Sequence, residues 1–194
     1  VQLVLNSTYI EKINQLILNY GQHGGFSENS DITVTSLPTA KALIELYESY
    51  GPQENTSIEI GSSVLFFIPK NKLNNSQIGY RTYENGSPIE KWAQQLVVIG
   101  LYNDEPIIVN TDDERAEILA AYESGQPKVV SSSLEEFFHA IYLVIQIQYE
   151  SFNFEILDDE TFEYKDEFVE TVDNKLDDCL SDEHKKNFMD FFFG

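Results

Sequence analysis

Apolar residues recur at helical spacing in three separate stretches of this chain. Leu134, Phe137, Phe138, Ile141, Tyr142 and Ile145 form one stripe of a helix expected over 134–147. Ser133-Leu134-Glu135-Glu136 supplies a capping box at its start, in which the Ser133 hydroxyl accepts from the Glu136 amide while Glu136 reaches back. Ile10, Ile13, Ile17 and Tyr20 predict a helix over 8–20, with a second capping box at Thr8–Glu11 and Gly21 as its stop. Leu43, Leu46, Tyr47 and Tyr50 predict a third over 38–50, opened by Ser36-Leu37-Pro38 and closed by Gly51-Pro52. Between the 8–20 and 38–50 helices, Gln22–Ser30 reads as a loop.

Elsewhere the period shortens. Leu96-Val97-Val98-Ile99 is almost wholly apolar and ends at Gly100, as expected for a strand buried on both faces. Asn103, Asp104 and Pro106 form a turn cluster, and Pro106–Asn110 returns as a second strand, so the pair reads as a hairpin with a loop of about five residues. Ser57–Ile60 and Ser63–Ile68 are expected strands turned at Gly61. Gln77–Tyr83 alternates weakly, Asn85-Gly86 signals a turn, and Ser87-Pro88-Ile89 opens a short helix through Trp92. Strands flanked by helices predict an α+β domain: a mixed, largely antiparallel sheet of about five or six strands with helices packed on it.

The stretch from Trp92 to Ile141 runs strand, Asn-Asp-Glu-Pro turn, strand, acidic loop, strand, short strand, then a serine-opened helix. This order resembles the core of the SUKH superfamily, the group related to the fungal cell-wall assembly regulators. The Pro38 helix ending in Tyr50-Gly51 is similar to the family's entry into the sheet, and the resemblance spans roughly residues 32–145. Family members often carry a Pro-Val-Tyr strand and a His-Gly turn; Ala116–Tyr122 and Gly125 stand there instead, without His. The resemblance implies a bacterial immunity protein that binds a polymorphic toxin and blocks its active surface. A non-enzymatic adaptor like the fungal relatives is the alternative it leaves open.

Composition sharpens this expectation. The chain has 33 acidic and 12 basic residues, a net charge of −21, which argues against phosphate contact and hence nucleic acid. Anionic membrane surfaces are disfavoured for the same reason, and no apolar run approaches the roughly 20 residues of a membrane span. A basic partner would be steered in by the field. The acids concentrate at the C-terminal end: 14 of the 34 residues from Glu150 to Glu183 are acidic against two lysines, the mark of a peripheral extension. Phe152, Phe154, Ile156, Phe162, Tyr164, Phe168 and Val169 interleave with them, so it is no plain solvating tail. Residues 182–193 read as a helix with Ser181 as its cap and Phe188, Phe191 and Phe192 on one face. The organisation expected is an α+β domain over 1–149 and an acidic, aromatic-rich extension over 150–194 packed on or beside it.

Candidate chemistry is thin. Cys179 is the single cysteine; it excludes an internal disulfide and fits a reducing, cytoplasmic setting. Asp177, Asp178 and Asp182 around it disfavour the thiolate. Glu136-Phe137-Phe138-His139 matches one Glu-x-x-His unit, where carboxylate-bridged di-iron bundles need two plus further glutamates. Asp112-Asp113-Glu114 and Asp158-Asp159-Glu160 lack the spacing of a calcium loop. Gly21, Gly24 and Gly25 lack the strand and the Lys-Ser/Thr of a phosphate cradle, and no nucleophile elbow or His-Glu-x-x-His occurs. A carboxylate- or metal-dependent hydrolase stays open as a third reading, because paired acids can lie far apart in sequence. The leading expectation is a binding protein without catalysis, metal or cofactor. Its partner-facing residues are expected in the 103–117 region, at Asp104, Glu105, Asp112, Asp113, Glu114 and Glu117. The exposed acids of 150–183 are expected to help, with the phenylalanines there buried inside the chain.

Overall fold

A computed structural model describes residues 5–29, 35–122 and 125–194; Ser30, the last residue of the expected 22–30 loop, lies outside them. Six strands form one antiparallel meander in chain order: β3 (Ser57–Ile60), β4 (Ser63–Phe67), β5 (Leu96–Tyr102), β6 (Glu105–Asn110), β7 (Glu117–Ala120) and β8 (Lys128–Ser131). Every pairing in it is antiparallel, so the expected admixture of parallel strands is absent among the described residues. A two-residue pair, β1 (Phe26–Ser27) with β2 (Gly51–Pro52), forms a separate ribbon inside what the sequence reads as loop and helix stop. With α1 (Thr8–Asn19), α2 (Lys41–Ser49), α3 (Leu134–Gln146), α4 (Asp166–Leu176) and α5 (Asp182–Phe193) the fold is α+β.

Helix α3 is the centre of the packing. Leu134, Phe137, Phe138, Ile141, Val144 and Ile145 are buried, each side chain contributing about 1.5–3 kcal/mol by leaving water. Phe138 stacks on Phe67 of β4 and meets Phe26 of β1 edge-on. Tyr102 of β5 packs against Phe191 and Phe192 of α5, and its hydroxyl donates to the Ile60 carbonyl at 2.8 Å. Phe168, Val172 and Leu176 of α4 and Phe188, Phe191 and Phe192 of α5 belong to the same continuous core as Ile10 and Phe137. The sequence predicts α5 and its Ser181 cap, which accepts from the His184 amide at 3.3 Å. It does not predict α4, hidden among acids.

Both edges of the sheet are sealed. On β3, Gln22 accepts from the Glu59 amide at 3.0 Å, while Gln148 accepts from the Gly61 amide at 2.8 Å and donates to the Glu59 carbonyl at 3.1 Å. A wide π-helical turn, Ile147–Ser151, follows α3 and carries Gln148 and Tyr149 to that edge; Tyr149 donates to the Glu59 carboxylate at 2.6 Å. On β8, α5 packs alongside and Asn187 donates to the Val129 carbonyl at 2.9 Å. Side chains here satisfy backbone groups that would otherwise accept a further strand.

Several local expectations give way. The β5–β6 loop is Asn103 and Asp104 alone, both at positive φ, the backbone of a tight I′-type hairpin. Pro106 therefore sits in β6, just past the end of β7, where its missing N–H faces no ladder partner. Gln77–Tyr83 is not a strand. Asn75–Gln77 is a 3₁₀ turn, and buried Gln77 itself fills the place of a strand beside Val98, accepting from its amide at 3.0 Å and donating to its carbonyl at 2.8 Å. Ser87–Trp92 forms no helix; Pro88 bridges to Thr82, and Trp92 Nε1 is tied to the Leu96 carbonyl at 2.9 Å. The Thr8–Glu11 capping box does not form. Thr8 is already helical, and Asn6 Oδ1 takes both its N–H and its hydroxyl, at 3.0 and 2.7 Å.

Candidate functional site

The 111–116 loop lies where two helices begin. Its Arg115 carbonyl accepts from the Leu134 amide at 3.0 Å, at the start of α3. The Glu114 carboxylate and carbonyl accept from the Lys41 and Ala42 amides, each at 3.0 Å, at the start of α2. Carboxylates are favourable there because a helix N-terminus presents unpaired N–H groups and positive potential. Asp113 Oδ1 accepts from the Arg115 amide at 2.9 Å, with the guanidinium 3.9 Å from its other oxygen. Asp112 is exposed, and Glu117 on β7 accepts from Asn110 at 3.1 Å.

Of this loop, Arg115 lines a cleft of about 390 Å³ together with Tyr9, Ser133, Glu135, Glu136, His139, Asp178 and Cys179. The fold thus brings the loop that carries Asp112, Asp113 and Glu114 to the starts of α2 and α3, while only Arg115 reaches the cleft that Asp178 shares. It does not bring Asp104 and Glu105 there. They stand at the other end of β6, on the order of 20 Å away at strand rise, where their charge raises the Tyr80 pKa after burial has done so. The six candidates form two surfaces.

The cleft holds a thiol, an imidazole and carboxylates, yet each has another occupation. Burial, then Glu136 and Asp178, push the Cys179 thiol up to about 12, so the thiolate is scarce at neutral pH. Glu136 follows only half of the predicted capping box. Its amide donates to Ser133 Oγ at 3.1 Å, but its carboxylate takes the amide and hydroxyl of Ser132, at 2.9 and 2.6 Å, instead of the cap's own amide. The His139 ring is stacked on Tyr9 with centroids 3.9 Å apart. Among the described residues no group of three or more His, Cys, Asp or Glu could hold a metal ion, and no helix is long and apolar enough to cross a membrane.

Two consequences are measurable. Glu114→Lys should lower stability by about 1–2 kcal/mol, through a lost cap and a cation at a helix N-terminus. Asp112→Lys should stay within about 0.5 kcal/mol of wild type. Urea midpoints check both, and equal midpoints would contradict the capping role of Glu114.

The second concerns pH. Burial lowers the His139 pKa below 6.5, against a smaller opposing pull from Asp178. The fold favours neutral imidazole, so this contribution is complete above pH 6.5 and fades as pH falls through the lowered value. Between about pH 7 and pH 5 the wild type should therefore lose more stability than His139→Gln. Parallel curves would refute it.

The sequence leads one to expect acids as the recognition chemistry, an expectation that no contact tests, and to expect the phenylalanines of the C-terminal segment inside. Phe168 is inside; Phe154 is 39% and Phe162 76% exposed. Alternation of acids and aromatics carries no signal that separates the two groups. Tyr9, Glu135 and Asp178 are also missed as cleft residues, since they converge only through tertiary packing. No protein-family model, curated protein or solved structure matches the chain.

Proposed function

We propose that this chain is an immunity protein of the SUKH superfamily, which acts in the cytoplasm by binding a basic toxin domain and covering its active surface. The observation that carries the reading is the distribution of charge. Within a net charge of −21, acids stand on firm elements: the β5–β6 turn, the loop held by two helix starts, and the C-terminal helices. Loops on a rigid scaffold are where recognition residues concentrate, and a strong field of one sign accelerates encounter with a partner of the other by about 10–10³-fold. Sealed sheet edges leave side chains to make the interface, instead of an added strand. Nucleic acid and anionic membranes are poor partners for the same charge.

The gene beside this one should encode a large secreted protein with a variable C-terminal domain. Expressing that domain alone should arrest growth, and co-expressing this chain should restore it. Growth arrest unrelieved by the chain would overturn the proposal.

A further inference from the structure

The segment between the π-helical turn and α4 is unusual in what it shows to solvent. Phe162 and Phe154 have φ of +59° and +63°, a region that bulky side chains rarely adopt, and both rings are exposed. Neither is loose. The Phe162 amide donates to the Asp158 carbonyl at 2.9 Å, and the Asp158 amide to the Glu163 carbonyl at 2.8 Å. The Phe154 amide donates to the Gln148 carbonyl at 2.8 Å, and its ring stacks on Tyr149, itself stacked on Tyr20. Ile156, 2% exposed, fastens the loop to the core, and the Tyr164 hydroxyl accepts from the Ser62 amide at 2.8 Å. Beside Phe154 lies a hollow of about 600 Å³ with Glu59, Glu155 and Asp159 on its walls and Lys165 as its cation.

We propose that this 153–164 loop is a docking element for a basic protein, with Phe162 and Phe154 as apolar anchors and the adjoining hollow as the seat of a partner's basic side chain. The inference rests on the binding reading above only in calling that partner a toxin domain. Charge decides the occupant. A second copy of this chain would bring another −21 against the same face, and an anionic bilayer is repelled likewise. A basic surface with an apolar socket is complementary on both counts. Aromatic anchors are the kind of group that dominates interface energetics, and a backbone already hydrogen-bonded in place has less to order on binding. The loop also lies outside 32–145, so it would serve as a specificity element added to the common core.

The test uses the full chain, with Phe162→Asn and the double Phe154→Asn, Phe162→Asn variant, because asparagine tolerates the left-handed backbone. Probes are a synthetic peptide of alternating arginine and tryptophan, and poly-lysine of equal charge, titrated calorimetrically. Phe162→Asn should melt at or above the wild-type Tm, and the double variant close to it, the relieved backbone offsetting the lost Phe154–Tyr149 stack. The double variant should bind the arginine–tryptophan peptide at least about tenfold more weakly while binding poly-lysine unchanged. Unchanged affinity for both probes, or equal loss for both, overturns the docking element, as does a wild-type dimer in sedimentation that the variant lacks. If the wild-type chain neutralises no neighbouring toxin while the peptide result holds, the immunity reading falls and the docking element stands.

Discussion

Phe168→Ala should destabilise the whole fold by about 3–5 kcal/mol, the cost of emptying a phenylalanine-sized space in a close-packed core. Phe168 is fully buried on α4 and touches the rings of Phe152, Tyr164 and Phe193. Domains of this size have about 5–15 kcal/mol of stability in all, so the loss is a large fraction of it. The informative part is where the loss is felt. The single tryptophan, Trp92, lies in the loop before β5, far along the chain from α4. If α4 and α5 share one cooperative core with the sheet, Trp92 fluorescence and far-ultraviolet circular dichroism will shift together in urea. A variant in which helix melts early while the Trp92 transition stays at its wild-type midpoint would show that the C-terminal helices are an appendage.

Gln77→Leu should cost a similar amount, about 3–5 kcal/mol, although it replaces one side chain by an apolar one of nearly equal size. Pairing of β4 with β5 ends at Phe67 and Gly100. Beyond that point the Gln77 amide serves the Val98 N–H and C=O and the Leu73 carbonyl, the last at 2.9 Å. Leucine would bury those groups without partners, and each such orphan costs about 1–3 kcal/mol. Gln77→Glu should be worse at neutral pH, because a carboxylate cannot donate to two carbonyls, and should recover partly on acidification, when the protonated group regains a donor. Urea denaturation of the three proteins at two pH values reads both effects. A leucine variant as stable as wild type would mean that the amide is not filling a strand's place.

Why the first of these regions escapes sequence reading and the second is misread follows from the physics. Periodicity reports which face of a local element is apolar, so α1, α2, α3 and the β3–β6 strands are legible from local pattern. Strands β7 and β8 enter only as an unbounded strand and short strand in the order of the Trp92–Ile141 stretch. Phe168, Val172 and Leu176 do carry i, i+4 spacing. They sit in so acidic a background that composition points to an extension. Gln77 leaves no trace in any pattern, because a side-chain amide standing in for a backbone strand is a tertiary event. Its neighbours read as weak alternation for that reason. The two-residue hairpin at Asn103-Asp104 is encoded by residues that tolerate positive φ, but Pro106 draws the eye to a longer turn.

The candidate site shows the same division. That carboxylates dominate the surface is plain in the sequence. That Asp104 and Glu105 part from Asp112, Asp113, Glu114 and Glu117 needs only the knowledge that β6 runs straight between them. That Glu114 serves a helix start requires α2 to arrive from some 70 residues upstream. Exposure of Phe154 and Phe162, against burial of Phe168, depends on a left-handed backbone that the residue types themselves argue against.

The proposed binding to a basic toxin domain is tested most directly by a calorimetric titration of the neighbouring toxin domain with the full chain at low and at high salt. A one-to-one complex that abolishes toxin activity at equivalence, and whose affinity falls as salt screens the acidic field, is the predicted result. A toxin that retains full activity in the presence of excess protein, with no heat of association at either salt concentration, would contradict it.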